Sequence, residues 1–213
     1  MPRVRSRRPG ARLVRALGLL LVAAGLGACG GSPRSEVPPP PAGWADTLLA
    51  HRAAKDAYFR GPRSPLTVEQ RETFHGLRYF PPDPSFRFLA VPDRKGAGTP
   101  DTLMDTMGNV RPYRVAFRVH LVREHMPFTL TVYRSGEDPS LFLPFQDATT
   151  GRETYGVGRY VYVTPEPNGR VLIDFNTAYN PYCAYNNRWA CPLVPPGNRA
   201  PLAVTAGEKK YHD

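Results

Sequence analysis

The chain has 213 residues, enough for one domain with additional segments. Its 25 prolines exclude a mainly helical protein, and its Tyr and Phe content favours strands. Six of the 28 Lys and Arg residues lie in residues 1–28 beside no acid, which leaves 22 against 18 Asp and Glu, a net of +4 that excludes a polyanion-binding surface.

Those six residues, Arg3, Arg5, Arg7, Arg8, Arg12 and Arg15, precede an apolar run from Ala16 to Leu26. This is the layout of an export signal, too short for a comfortable transmembrane helix. It ends Leu26-Gly27-Ala28-Cys29, which resembles the lipobox of bacterial lipoproteins, with small residues directly before a cysteine. The resemblance implies a signal peptide over residues 1–28, cleavage before Cys29 and acylation (palmitate) of its sulfur. Two or more acyl chains anchor stably, so a membrane is an expected partner through the lipid anchor. The expected location is the bacterial cell envelope, lipid-anchored and facing the periplasm or exterior. Residues 29–43, with prolines from Pro38 to Pro41, predict an extended tether, and 44–213 a single β-rich domain.

In the domain, Trp44, Leu48, Leu49, Ala53 and Tyr58 lie at helical spacing and predict a helix over 44–60. Arg52, Lys55 and Asp56 take its solvated side, and Gly61-Pro62 ends it. A second helical turn follows at Val68 to Thr73. Gly76 to Phe80 leads into a rigid turn, Pro81 to Pro84, and 85–91 reads as a strand. A weaker strand spans 102–107. Tyr113, Val115, Phe117, Val119 and Leu121 are apolar at every second position, the mark of a half-buried strand. Phe128, Leu130 and Val132 continue it as a hairpin or meander. Leu141 to Phe145 is a short apolar run, and Asn168-Gly169 joins strands 160–164 and 170–176. Leu202, Val204 and Ala206 form a last strand. The fold class is therefore mainly β, an antiparallel barrel or sandwich of about eight short strands with one N-terminal helix.

The densest cluster of polar and aromatic residues runs from Asp174 to Asn186 and closes at Cys191-Pro192. Period two places Asp174 and Asn176 on one face at the end of a strand. There they hold a cation, a hydroxyl or an amide, or else Asp174 accepts from turn N–H groups. Gly156-x-Gly158 is followed by no helix, so it is a tight turn and not a phosphate loop. Asp147, Arg152 and Arg159 can converge, and Arg159 either clamps an anion or pairs with Asp174 as scaffold. The five His residues show no zinc spacing, an oxygen-ligand site at Asp147, Asp174 and Glu208 is unspecific, and no metal or cofactor is expected. With Cys29 lipidated, Cys183 and Cys191 are an even pair in an oxidising compartment. A disulfide closing their loop of about nine residues would contribute roughly 2.5 kcal/mol.

The candidate binding set is Asp147, Arg159, Asp174, Asn176, Tyr179 and Asn180, lining a polar-aromatic pocket for a small-molecule, glycan or peptide ligand. Nucleic acid is not an expected partner. Two alternatives stand beside this reading. One is an envelope hydrolase with Asp174 or Asp147 as base and a free Cys183 as nucleophile. The other makes every one of these residues structural.

Several motifs occur together in order: Leu141-Phe142-Leu143-Pro144-Phe145 with Asp147, Thr149 and Gly151; Thr154-Tyr155-Gly156 through Tyr160; Asp174-Phe175-Asn176 with Ala178 to Pro181; Cys183-Ala184 with Cys191-Pro192-Leu193; and Ala206-Gly207-Glu208-Lys209. With Gly76 to Asp83 they resemble one bacterial family, named only as domain of unknown function 1684, over most of residues 50–211. The resemblance implies a single β-rich domain with no established activity. Members often carry Glu before an Asn-Arg pair, where this chain has Gly197 before Asn198-Arg199, so any role of that acid is absent. The resemblance also implies a matching Cys pair in members without export signals, which adds a thiol or buried structural role beside the disulfide.

Overall fold

The structure, a computed structural model, describes Pro2, residues 35–136 and residues 138–212. The expected signal peptide and Cys29 lie outside the described residues. Helix α1 spans Trp44–Arg60 and stops at Gly61, whose N–H returns to the Tyr58 carbonyl. Helix α2, Val68–Glu72, starts on a reciprocal cap: Thr67 Oγ1 accepts from Gln70 N, and Gln70 Oε1 accepts from Thr67 N. The inner face of α1 is not the one its apolar residues predict. Leu48, Arg52 and Phe59 are buried, while Leu49 and Tyr58 are 50% and 39% exposed. Arg52 and Lys55, expected in solvent, turn inward because buried carbonyls and a buried carboxylate wait for them there.

Among the described residues, nine strands form two antiparallel sheets. They are β1 (Ser35–Glu36), β2 (Arg87–Ala90), β3 (Pro100–Met104), β4 (Val110–Arg123), β5 (Met126–Arg134), β6 (Phe142–Phe145), β7 (Arg159–Tyr162), β8 (Thr164–Pro165) and β9 (Val171–Asp174). One sheet has the order β1-β2-β9-β8 and the other β3-β4-β5-β6-β7. This is an open sandwich, not a closed barrel. The chain changes sheets at the buried Val163, between β7 and β8. Both sheets supply the main core, with Phe88 and Ile173 facing Val119, Leu130 and Leu143. No helix among the described residues is long and apolar enough to cross a membrane.

Strand β4 serves two compartments. Its register against β5 slips between Val115 and Phe117, where Ala116 is the extra residue of a β-bulge. One extra residue moves every later side chain to the opposite face. Phe117, Val119 and Leu121 therefore join the core between the sheets, while Tyr113 and Val115 join a separate cluster with Tyr133, Phe142 and Tyr160. An unbroken alternation in the sequence conceals this change of side.

Three expectations are corrected. The segment 170–176 is a strand only to Asp174, whose carboxylate caps a 3-10 turn over Phe175–Thr177. Leu202, Val204 and Ala206 are buried but form no strand, because the carbonyls of Val204, Ala206 and Glu208 are taken by the Arg159 guanidinium. The tether is not free throughout: β1 pairs with β2, and the Pro39 carbonyl accepts from Arg87 Nη1 at 3.3 Å.

Candidate functional site

Between α1, the aromatic face of the five-stranded sheet, and the turns at 174–182 and 189–192 lies a cavity of about 1010 Å³. Both tryptophans, Trp44 and Trp189, and seven of the tyrosines line it. The bulge in β4 directs Tyr113 to this side, and Tyr160 and Tyr162 of β7 follow by alternation. Tyr179 stacks on Tyr162 with centroids 5.7 Å apart and meets the Tyr160 ring edge-on at 5.7 Å. Tyr160 Oη donates to the Pro192 carbonyl, which fixes its ring. Burial pushes the Tyr160 and Tyr179 phenols well above their ordinary pKa, so these two rings stay neutral.

Two carboxylates interrupt this aromatic surface, and both are fully engaged. Glu208, 0% exposed, accepts from Lys55 Nζ at 2.6 Å, from Asn180 N at 3.2 Å, from Asn180 Nδ2 at 3.1 Å and from Tyr185 Oη. Gly207 makes that position reachable. Its φ is +77°, and a Cβ there would lie 2.7 Å from the carbonyls of Phe175 and Ala178. Asp174 accepts from Asn176 N and Nδ2 on one oxygen, and from Trp44 Nε1 at 3.0 Å and Arg87 Nε at 3.2 Å on the other. Arg52 is a buried part of the wall. Its guanidinium donates to the carbonyls of Phe80 and Asn176, lies over the Tyr79 ring and makes no ion pair among the described residues. Desolvation pulls its pKa below the usual arginine value.

The structure divides the residues singled out in the sequence. Asp174, Asn176 and Tyr179 line the cavity. Asn176 does not face a ligand beside Asp174; it is spent on Asp174 and on the backbone of Asp83. Asn180 stands behind Glu208. Asp147 and Arg159 are each 1% exposed and form their own ion pair at 2.8 Å, away from the cavity lining. Arg159 thus pairs with Asp147 and not with Asp174, as a clasp on the segment 204–208. Gly197 is exposed with open space around it and is not part of the lining, so the missing family acid leaves this site intact. Sequence reasoning missed Trp44, Arg52, Lys55 and Glu208 as wall residues. The signals were the Ala206-Gly207-Glu208-Lys209 motif and the spacing of Trp44, Leu48, Arg52, Lys55 and Phe59.

Cys183 and Cys191 are free thiols, not the expected disulfide. The short turn between them brings the sulfurs into hydrogen-bond contact, and Cys191 Sγ accepts the Cys183 N–H at 3.1 Å. Tyr155 Oη lies 3.8 Å from Cys183 Sγ. Donation from the Cys191 thiol, helped by Tyr155, lowers the Cys183 pKa to about 7 against the pull of burial, while Cys191 is pushed up. Neither a His nor a carboxylate is a hydrogen-bond partner of Cys183 among the described residues, so the hydrolase arrangement has no base beside its nucleophile. Asp147, Asp174 and Glu208 belong to separate networks, and no group of three or more His, Cys, Asp or Glu among the described residues is placed to hold a metal.

No curated protein matches the chain. Among solved structures it is similar to the uncharacterized protein from gene locus rrnAC0354 of Haloarcula marismortui, determined by solution NMR. The two are 35% identical with a TM-score of 0.60, over 78% of this chain and 94% of that one. Residues 72–209 match the family described as "Protein of unknown function (DUF1684)", and with the fold and the ordered motifs in place the chain belongs to that family.

Proposed function

We propose that the chain is a lipid-anchored protein of the bacterial cell envelope whose β domain binds an amphipathic ligand in the cavity beneath α1. One observation carries this reading: a cavity of about 1010 Å³ walled by both tryptophans and by tyrosines held in fixed ring contacts. Ligand sites of about 300–1,000 Å³ lined by aromatic side chains with a few polar groups are the common form. Tyrosine and tryptophan offer an apolar face and a polar tip, which suits a ligand with both characters. The lipobox-like Leu26-Gly27-Ala28-Cys29 supports the anchor.

The test uses the neutral dye N-phenyl-1-naphthylamine with the full chain in lipid nanodiscs. Energy transfer from Trp44 and Trp189 is expected to saturate at one dye per chain. Thr47→Phe fills the cavity from an exposed position on its lining and is expected to remove the saturable signal without changing the melting temperature. Equal saturation in wild type and variant rejects the reading.

A further inference from the structure

The two buried carboxylates of the cavity wall have no position left to accept a hydrogen bond. A carboxylate offers about four acceptor positions. Glu208 has all of its positions filled, by Lys55, by Asn180 twice and by Tyr185. Asp174 has its own filled by Asn176 twice, by Trp44 and by Arg87. A third lining carboxylate, Asp138, is exposed to solvent. The donors are in surplus. Lys55 Nζ carries three N–H groups and has one acceptor among the described residues, Glu208 Oε2. Its ammonium lies 5.4 Å from the Tyr179 ring centroid and 5.5 Å from that of Phe59, at the partly exposed inner face of α1. Behind it, Arg52 is 8% exposed, lines the same cavity and carries a full charge without an ion pair among the described residues.

The charge count agrees with the hydrogen-bond count. Lys55 balances Glu208 and Arg87 balances Asp174, Arg52 has no ion pair of its own among the described residues, and the remaining lining carboxylate, Asp138, is solvent-exposed, all beside a half-open, largely aromatic volume. A buried charge without a partner weighs far more than one at the surface. An incoming ammonium would find both buried carboxylates filled and the like charges of Lys55 and Arg52, with ring faces and phenol oxygens left to hold it. An incoming anion would find open Lys55 donors and the field of Arg52.

From this we infer that the ligand is an anionic amphiphile: an acceptor-only head group, carboxylate or phosphate, set against Lys55, with an apolar body along Tyr160, Tyr162 and Tyr179. This rests on the reading of the cavity as a binding site, and deepens it by fixing the sign of the ligand's charge. The two head groups share one chemistry, and the experiment separates them.

Four ligands of one chain length are compared by bromine quenching of Trp44 and Trp189: 11-bromoundecanoate, 11-bromoundecyl phosphate, 11-bromoundecanol and 11-bromoundecylammonium. The full chain is held in zwitterionic nanodiscs, with Thr47→Phe as background. At least one anion is expected to bind about ten-fold or more tighter than the alcohol, with the ammonium weakest. Whichever anion leads names the head group. Lys55→Gln is expected to erase that preference and Lys55→Arg to retain it, which separates loss of the charge from loss of the fold; a Lys55→Arg variant that keeps its melting temperature but shows no preference for an anion overturns the assignment. An alcohol or ammonium that binds as tightly as both anions overturns the inference while the saturable dye signal upholds the binding reading. Loss of the dye signal in wild type overturns both.

Discussion

Cys183 and Cys191 sit at one turn and share a hydrogen bond, yet only one of them ionises near neutrality. The Cys183 pKa is lowered to about 7, below the ordinary thiol value of 9.0. A group whose folded pKa is depressed stabilises the fold above its unfolded pKa and loses that contribution as pH falls through the folded value. Stability from this thiol is therefore full above about pH 9 and gone below about pH 7. Iodoacetamide labelling followed by mass spectrometry is expected to modify Cys183 with a midpoint near pH 7, and Cys191 only at far higher pH. Equal rates at the two positions would contradict the pairing. At the same scale, Arg52 and Lys55 show why the wall was hard to read from the sequence. A charged residue on a helix is normally solvated, and its buried partners stand more than a hundred positions away, at Asn176 and Glu208. Asp174 was legible as important, but half of its chemistry is local: one oxygen caps the turn that follows it, while the other holds Trp44 and Arg87 from distant parts of the chain.

The bulge at Ala116 decides what strand β4 can do. Without it, Tyr113 and Val115 would share a face with Phe117, and the aromatic cluster would lose its outer members. Deleting Ala116 makes Val115 and Phe117 neighbours on opposite faces, where they already stand, so the deletion is expected to cost about 1 kcal/mol or less in a urea unfolding curve. Deleting Arg118, where the pairing is regular, drives either Phe117 or Val119 and Leu121 out of the core, with an expected cost on the order of 3 kcal/mol or more in the same measurement. Element boundaries were largely visible beforehand, because α1 is bounded by Gly43 and Gly61 and β4 and β5 alternate cleanly. The bulge was not visible, since the apolar residues change face where the extra residue sits, and Ala116 keeps them at every second position. The buried coil at 202–206 was misread as a strand for a related reason. Apolar alternation records burial, not the identity of the group that satisfies the carbonyls.

Across the whole molecule, the Arg159–Asp147 pair joins β7 and the loop after β6 to the segment 204–208, which delivers Glu208 to the cavity. Removing one partner of such a buried pair costs about 3–5 kcal/mol, because the other charge is left uncompensated. Arg159→Met is accordingly expected to lower the melting temperature steeply in calorimetry, whereas a residue that merely touched ligand would leave it unchanged. The sandwich class was readable from turn spacing and alternation, while the cavity needed distant segments assembled, so only Asp174, Asn176 and Tyr179 of its wall were foreseen. The docking of Ser35–Glu36 onto β2 has a consequence for reach. Only residues 30–34 separate Cys29 from that strand. Fully extended, they span at most about 20 Å. With Cys29 acylated as proposed, the domain is leashed close to the lipid surface instead of roaming the compartment. A short leash raises the effective concentration of any amphiphile leaving or entering the bilayer, so modest intrinsic affinity suffices for capture and still permits rapid release.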